Sequence, residues 1–248
     1  MPFDVVLAGL FVFLTTSLGA FASVFFKRFP KTGLDVSLAF SGGIMLVASF
    51  TSLILPSIEK GNIYITIIGI IAGFLLIHII DIYIPHEEHL LKYNISSIYN
   101  NKVRSIILIV LAIIIHNIPE GIAVGVSIVN DIHKGWATAI AIGIQDIPEG
   151  LAVSLPLIFL TNRLIIPVFI GILSGFSEFL FAVLGGLAFS IFSVLLPFGL
   201  SMAGGAMVYI TIKEVFPELY KTEKNKNLIT LGFLIGMIVM LYLDTTLG

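Results

Sequence analysis

HNIPEGIAVGVS at residues 116–127 and QDIPEGLAVSLP at residues 145–156 are two versions of one motif, set 29 residues apart. Each version begins with two polar residues, continues with Pro-Glu-Gly and ends in a mostly apolar run. If both stretches cross a membrane in succession, they run in opposite directions. Paired, proline-interrupted segments of opposite direction are a sequence sign of a transporter's central binding site. The motif therefore predicts a polar site inside an apolar helix bundle.

The composition around the motif is that of a membrane protein. Hydrophobic residues make up 58% of the 248 residues and charged residues only 11%, whereas about a quarter of a soluble domain is charged. A helix needs about 20 mostly apolar residues to cross the hydrocarbon core. The sequence predicts an all-α integral membrane protein with a single transporter domain over residues 1–248 and eight transmembrane helices. Their approximate ranges are 3–26, 34–55, 63–84, 103–129, 135–160, 164–190, 199–220 and 227–247.

Lysine and arginine are unevenly distributed between the two ends of these stretches. Only Lys60 and Lys134, of 13 such residues, fall on one side. Because positive residues favour the cytoplasmic side, both termini are predicted to lie outside the cytoplasm. The expected location is the plasma membrane of a bacterium or archaeon, with the lipid bilayer as a partner. The net charge of −2 gives no reason to expect a nucleic-acid partner.

Four carboxylates lie inside the fourth, fifth and sixth stretches, where no Lys or Arg can pair with them: Glu120, Asp146, Glu149 and Glu178. Left ionised and unpaired in the bilayer, they would cost roughly 10–14 kcal/mol together. Protons or metal cations can offset this cost. The chain has no cysteine, so a metal would be held by oxygen and nitrogen ligands.

The spacing of the polar residues favours a metal. His116 and Glu120 are four residues apart and share one helix face, and Gln145 and Glu149 repeat the arrangement. If the fourth and fifth helices face each other, these side chains form one mixed cluster. A predicted second cluster contains Asn117, Asp146 and Glu178. The two motif glutamates bridge the first cluster and the second. The predicted ligands are His116, Asn117, Glu120, Gln145, Asp146, Glu149 and Glu178.

Imidazole combined with carboxylates suits Zn²⁺ first, and also Cd²⁺, Fe²⁺, Mn²⁺ or Co²⁺. Met45 in the second stretch offers an additional thioether. The metal is expected as cargo, with no prosthetic group. An enzyme is not expected, because the chain lacks the H-E-x-x-H signature of metalloproteases. The alternative function is a proton- or cation-coupled carrier of a small organic solute, which buried carboxylates alone would allow.

With H-N-x-P-E-G followed by x-D-x-P-E-G, the chain resembles the ZIP family of divalent metal transporters (Zrt-, Irt-like proteins), in its prokaryotic branch. The resemblance covers nearly the whole chain. It extends to SGGIMLVASFTSLILPSIE at 41–59, IPHE at 84–87 and AMVYITIKEVFPE at 206–218. Gln145 stands where many members have histidine.

The resemblance implies metal import toward the cytosol, a homodimer, and alternating access in which one helix bundle slides against another. It implies a central binuclear site on the seven predicted ligands, with a contribution from Met45. It also implies a cytosolic exit route near Asp81, His86 and Glu214. From its place within the apolar third stretch, His78 is a further candidate for the transport path.

Overall fold

The computed structural model describes residues 2–25, 31–83, 117–217 and 225–247, and every regular element in these ranges is helical. We number the long helices α1 to α8 in chain order. They are α1 (Pro2–Ala22), α2 (Lys31–Ala48, continued by a π-helical segment Ser49–Ile54 and by Leu55–Lys60), α3 (Ile63–Tyr83), α4 (residues 117–130), α5 (Ile132–Thr161), α6 (Ile165–Ile191), α7 (Leu196–Ile210, continued by a π-helical segment Thr211–Val215) and α8 (Lys226–Leu247).

Six of the described helices are long and apolar enough to cross a bilayer, namely α1, α2, α3, α6, α7 and α8. Large apolar side chains cover the outward faces of these helices, as expected where lipid is the solvent. The prediction of a helical, multi-pass membrane protein is therefore confirmed. Spans at α4 and α5, which would raise the count to eight, remain a prediction, as do the extracytoplasmic termini.

Two prolines account for helix ends that differ from the predicted ones. α2 runs on to Lys60, beyond the predicted end at residue 55, although it contains Pro56. Proline lacks an N–H and crowds the carbonyl four residues earlier, here that of Ser52. Ser52 lies in the π-helical segment, whose altered hydrogen-bonding pattern lets the helix pass the proline. α7 begins at Leu196, before the predicted residue 199, because Pro197 is well suited to a helix's first turn.

The helices form two bundles that meet along α5. In the first bundle, α1 packs along α5 and α6, and α4 lies against α6. In the second bundle, α2 packs along α8 and α3 packs along α7. α5 also contacts α2 and α8, so the main hydrophobic core is shared by both bundles.

Glycines set close contacts inside the second bundle. A Cβ atom added at Gly73 of α3 would collide with the carbonyl oxygen of Met202 on α7. A Cβ atom at Gly43 of α2 would collide with the carbonyl oxygen of Phe233 on α8. Small residues of this kind let membrane helices approach closely enough for extensive van der Waals packing. Each helix pair therefore behaves as a tightly joined unit.

The start of α5 is fixed by its N-cap residue, Asp131, which precedes the apolar part of the helix. Its carboxylate accepts hydrogen bonds from the backbone N–H groups of His133 (2.9 Å) and Lys134 (3.1 Å). These bonds satisfy N–H groups that have no partner within the helix. The backbone hydrogen bond from Lys134, more than any other contact, holds the pKa of the Asp131 carboxyl below its usual value. The cap fixes where α5 begins after α4.

Candidate metal centre

Three carboxylates from α4 and α5 come together in the first bundle. Glu120, Asp146 and Glu149 each offer one oxygen atom, and these atoms lie within 4.8 Å of one another. Glu120 and Asp146 are fully buried, and Glu149 is partly exposed. This is the spacing expected of groups that share one cation. The two copies of the repeated motif therefore converge on a single point.

The amide side chains of both motifs are oriented by the acids. Gln145 Nε2 donates to Glu120 Oε1 at 2.5 Å. Asn117 Nδ2 donates to Glu178 Oε1 at 2.5 Å, and also contacts the carbonyl oxygen and hydroxyl of Ser174. Because each amide nitrogen donates to a glutamate, each amide oxygen points away from the glutamate that its nitrogen contacts.

Three buried oxygen atoms at this centre have no hydrogen-bond partner among the described residues. They are Asn117 Oδ1, Gln145 Oε1 and Asp146 Oδ1. A buried acceptor without a partner costs about 1–3 kcal/mol. A divalent cation coordinated by these oxygens would remove that cost. The donor set consists of carboxylate and amide oxygens, which bind hard and borderline divalent ions.

The prolines of the motifs lie beside the glutamates. Pro148 has no N–H for the carbonyl of Ile144, and the next carbonyl, that of Gln145, accepts a hydrogen bond from Ser41 Oγ of α2 at 3.1 Å. Irregular backbone inside a membrane is tolerated where it is packed by protein or lines a polar cavity. Ser41 thus links the second bundle to the metal centre. Met45, four residues later and buried, lies on the same face of α2.

Two threonines of α1, which the sequence analysis did not identify, also reach the centre. Thr16 Oγ1 donates to Glu178 Oε2 at 2.8 Å, and Thr15 Oγ1 lies 3.4 Å from Asp146 Oδ2. Glu178 is fully buried beside Asp146, close enough for the two carboxyl groups to interact. The run Thr-Thr-Ser at 15–17, within an apolar stretch, is the signal that could have indicated them.

The remaining predicted residues stand apart from this cluster or outside the described residues. His78 of α3 is partly buried, and its Nδ1 lies 3.0 Å from the hydroxyl of Tyr209 on α7, which also accepts a hydrogen bond from Lys213 Nζ at 2.7 Å. This arrangement joins helices of the second bundle. The predicted residues His116 and His86, and the side chains of Asp81 and Glu214, lie outside the part of the chain that the structure describes.

Comparison with known proteins matches this architecture to one family. Residues 85–244 match the family model described as ZIP Zinc transporter. The chain is 34% identical over 256 aligned residues to the zinc transporter ZIPB of Bordetella bronchiseptica, and this alignment covers 98% of this chain and 81% of that protein. It is 38% identical over 181 residues to the zinc transporter GufA of Myxococcus xanthus, covering 73% of this chain and 70% of that protein.

A third relative is similar over nearly its whole length. The zinc transporter ZupT of Clostridium perfringens is 32% identical over 258 aligned residues, covering 92% of this chain and 90% of that protein. These matches extend across all the helices that build the carboxylate cluster, not only across the repeated motif.

Proposed function

The chain belongs to the ZIP family of zinc transporters, and from this membership we propose that it imports zinc toward the cytosol through the carboxylate centre of α4 and α5. It is a multi-pass membrane protein that transports divalent metal ions, and it is not an enzyme. Zinc is the proposed physiological cargo because the relatives are named zinc transporters. Cd²⁺, Fe²⁺, Mn²⁺ and Co²⁺ are further ions that suit the proposed ligands.

The convergence of three carboxylates at one point carries this proposal. Glu120, Asp146 and Glu149 hold the cargo ion, with the unpartnered oxygens of Gln145 and Asn117 beside them. Such a site exchanges the hydration shell of the ion for protein oxygens. His116 would add an imidazole nitrogen and Met45 a thioether. A second ion would lie toward Glu178, which makes the centre binuclear.

Two features support movement of the first bundle past the second. At the end of the molecule that carries Lys60, the bundles are bridged by this residue of α2, whose Nζ donates to the carbonyl oxygen of Asn130 at the end of α4 (2.9 Å). Toward the opposite end, a cavity of about 410 Å³ separates the bundles, with Val36 and Phe40 on one wall and Ile147 on the other. We propose that sliding of one bundle against the other exchanges a contact of this kind at one end for a cavity of this kind at the other.

The alternative function, transport of an organic solute, has less support. The described part of the centre holds no Lys or Arg side chain that could clamp an organic anion, and the family matches are to zinc transporters. The remaining expectations are part of the proposal: eight spans with both termini outside the cytoplasm, a homodimer, and an exit route near Asp81, His86 and Glu214. The cell membrane of a bacterium or archaeon is the proposed location.

Flux through purified protein tests the proposal. Proteoliposomes that contain the protein and an internal zinc-sensitive dye are expected to take up Zn²⁺ with saturable kinetics. Protein-free vesicles and an equal excess of Ca²⁺ as competitor serve as controls. Cd²⁺ is expected to compete better than Ca²⁺, because the proposed imidazole of His116 and thioether of Met45 favour softer ions than the oxygen ligands do. Absence of Zn²⁺ and Cd²⁺ flux from protein shown to be folded would overturn it.

A further inference from the structure

α1 lies between the two helices that carry the acids Asp146 and Glu178. It packs along α5 on one side and along α6 on the other. Thr15 and Thr16 are consecutive, so their side chains leave the helix about 100° apart. One hydroxyl therefore faces Asp146 on α5 and the other faces Glu178 on α6, as the contacts at 3.4 Å and 2.8 Å show.

Two glycines make room for Thr16. A Cβ atom added at Gly150 of α5 would collide with the Thr16 carbonyl oxygen, and a Cβ atom at Gly175 of α6 would stand 2.9 Å from Thr16 Cβ. Gly150 directly follows the ligand Glu149, and Gly175 lies one turn before Glu178. The three helices thus close around Thr16, which is fully buried. This close approach brings its hydroxyl within hydrogen-bonding distance of Glu178.

Both carboxylate oxygens of Glu178 are held by donors from different helices. Oε1 accepts from Asn117 of α4, and Oε2 accepts from Thr16 of α1. A carboxylate held at both oxygens cannot rotate, so its remaining lone pairs have a fixed direction. Groups behind a metal ligand that fix its orientation in this way raise metal affinity.

We propose that Thr16 is a positioning residue for the metal centre, which holds Glu178 in the orientation that completes the ion position beside Asn117 and Asp146. Thr15 supports Asp146 more weakly, because its hydroxyl lies 3.4 Å from Asp146 Oδ2 but only 2.9 Å from the carbonyl oxygen of Val12 and 3.2 Å from that of Phe11. α1 is then the template that sets the separation between Asp146 and Glu178. The inference rests on the proposed transport of zinc through this centre, and it adds α1 to the helices that build the centre.

The Thr16 hydroxyl has a second acceptor, which shapes the choice of variants. Thr16 Oγ1 also lies 2.9 Å from the carbonyl oxygen of Val12, one turn earlier in α1. Thr16→Val removes the hydroxyl and keeps the branched shape of the side chain. Thr16→Ser keeps the hydroxyl and loses only the methyl group. Ser23→Ala is the matched control, since Ser23 is buried in the turn that directly follows α1 and its hydroxyl donates to a backbone carbonyl, that of Ala20.

The experiment measures Zn²⁺ affinity by equilibrium titration of detergent-purified protein and Zn²⁺ flux in proteoliposomes. We expect Thr16→Val to raise the dissociation constant and the half-saturation concentration for Zn²⁺ about 10- to 100-fold, the range seen when such orienting groups are removed. The maximal flux stays within about twofold at saturating metal, and Thr16→Ser and Ser23→Ala match the wild type. If Thr16→Val does not fold, the comparison of Thr16→Ala with Thr16→Ser replaces it.

Two results would overturn the inference. Thr16→Val with wild-type affinity would show that the hydroxyl does not orient Glu178. Equal losses in Thr16→Ser and Thr16→Val would assign the effect to packing of the methyl group. A wild-type protein without Zn²⁺ flux is a different outcome, because it contradicts the proposed function itself, whereas the titration still reports the role of Thr16 in metal binding.

Discussion

Asp146→Asn should make the metal-free protein more stable and remove most of its stabilisation by zinc. Asp146 is fully buried, its Oδ1 has no hydrogen-bond partner among the described residues, and it adjoins the carboxylates of Glu120 and Glu149. Asparagine removes the charge and adds an N–H₂ group that can donate to these neighbours. The same change removes one of the carboxylates proposed to bind the metal. Stability without metal and binding of metal therefore change in opposite directions.

The size of the effect follows from the unpartnered oxygen. A buried acceptor without a partner costs about 1–3 kcal/mol, so the variant gains up to that amount without metal. For a chain of this size each kcal/mol moves Tm by about 2–4 °C, so we expect a rise of roughly 2–12 °C. In the wild type, zinc at 100 times its dissociation constant adds about 2.7 kcal/mol. In the variant, we expect less than half of the corresponding shift in Tm.

Thermal unfolding followed by tryptophan fluorescence in detergent measures both effects. The chain has a single tryptophan, Trp136, whose ring lies 6.5 Å from that of Phe11 in an edge-on contact between α5 and α1. The signal therefore reports the first bundle directly. Asp131→Asn is the control, because it neutralises an acid outside the metal centre and keeps an N-cap side chain. An Asp146→Asn variant that is less stable than the wild type without metal, yet retains the full zinc shift, would refute the reasoning.

Two further predictions concern the fold. Gly43→Leu should destabilise the protein by about 1–3 kcal/mol, because the new side chain collides with the backbone at Phe233, and thermal unfolding should show this loss where Leu at an outward-facing position such as Val6 shows none. Asp131→Ala should cost about 1 kcal/mol near neutral pH, because it removes an N-cap. The pKa of Asp131 is lowered in the folded protein. The stability difference between Asp131→Ala and the wild type should therefore be complete above the usual carboxyl pKa of 3.8 and vanish as the pH falls through the lower folded value. A stability difference that persists at still lower pH would contradict this assignment.

The acids of the centre could be identified from the sequence because a carboxylate in an apolar stretch is costly. Glu120, Asp146 and Glu149 each interrupt an apolar run, and the repeated motif indicates which helices must meet. The prediction grouped Asp146 with Asn117 and Glu178 and let the two motif glutamates bridge to that cluster; in the structure an oxygen of Asp146 lies within 4.8 Å of an oxygen of each of these glutamates. That distance depends on how α4 and α5 cross near their prolines, which spacing along one helix does not determine.

The threonines of α1 could not be identified in the same way. A threonine inside a membrane helix can satisfy its hydroxyl on a carbonyl of the preceding turn, and the carbonyl oxygen of Val12 lies within hydrogen-bonding distance of the Thr16 hydroxyl. It therefore has no cost that marks it as functional. Its role depends on α1 lying between α5 and α6, which is set by glycines distant in sequence. For the same reason the sequence could not predict the contact of His78, because its partner Tyr209 comes from another helix of the second bundle.

The most direct test of the account compares zinc flux in proteoliposomes for the wild type, Glu149→Gln and Glu59→Gln. Glu149 belongs to the carboxylate cluster, whereas Glu59 is an exposed acid near the end of α2. The account predicts saturable zinc influx for the wild type and for Glu59→Gln, and no saturable influx for Glu149→Gln at equal protein content. Influx by Glu149→Gln with the wild-type rate and half-saturation concentration would contradict the claim that zinc passes through this centre.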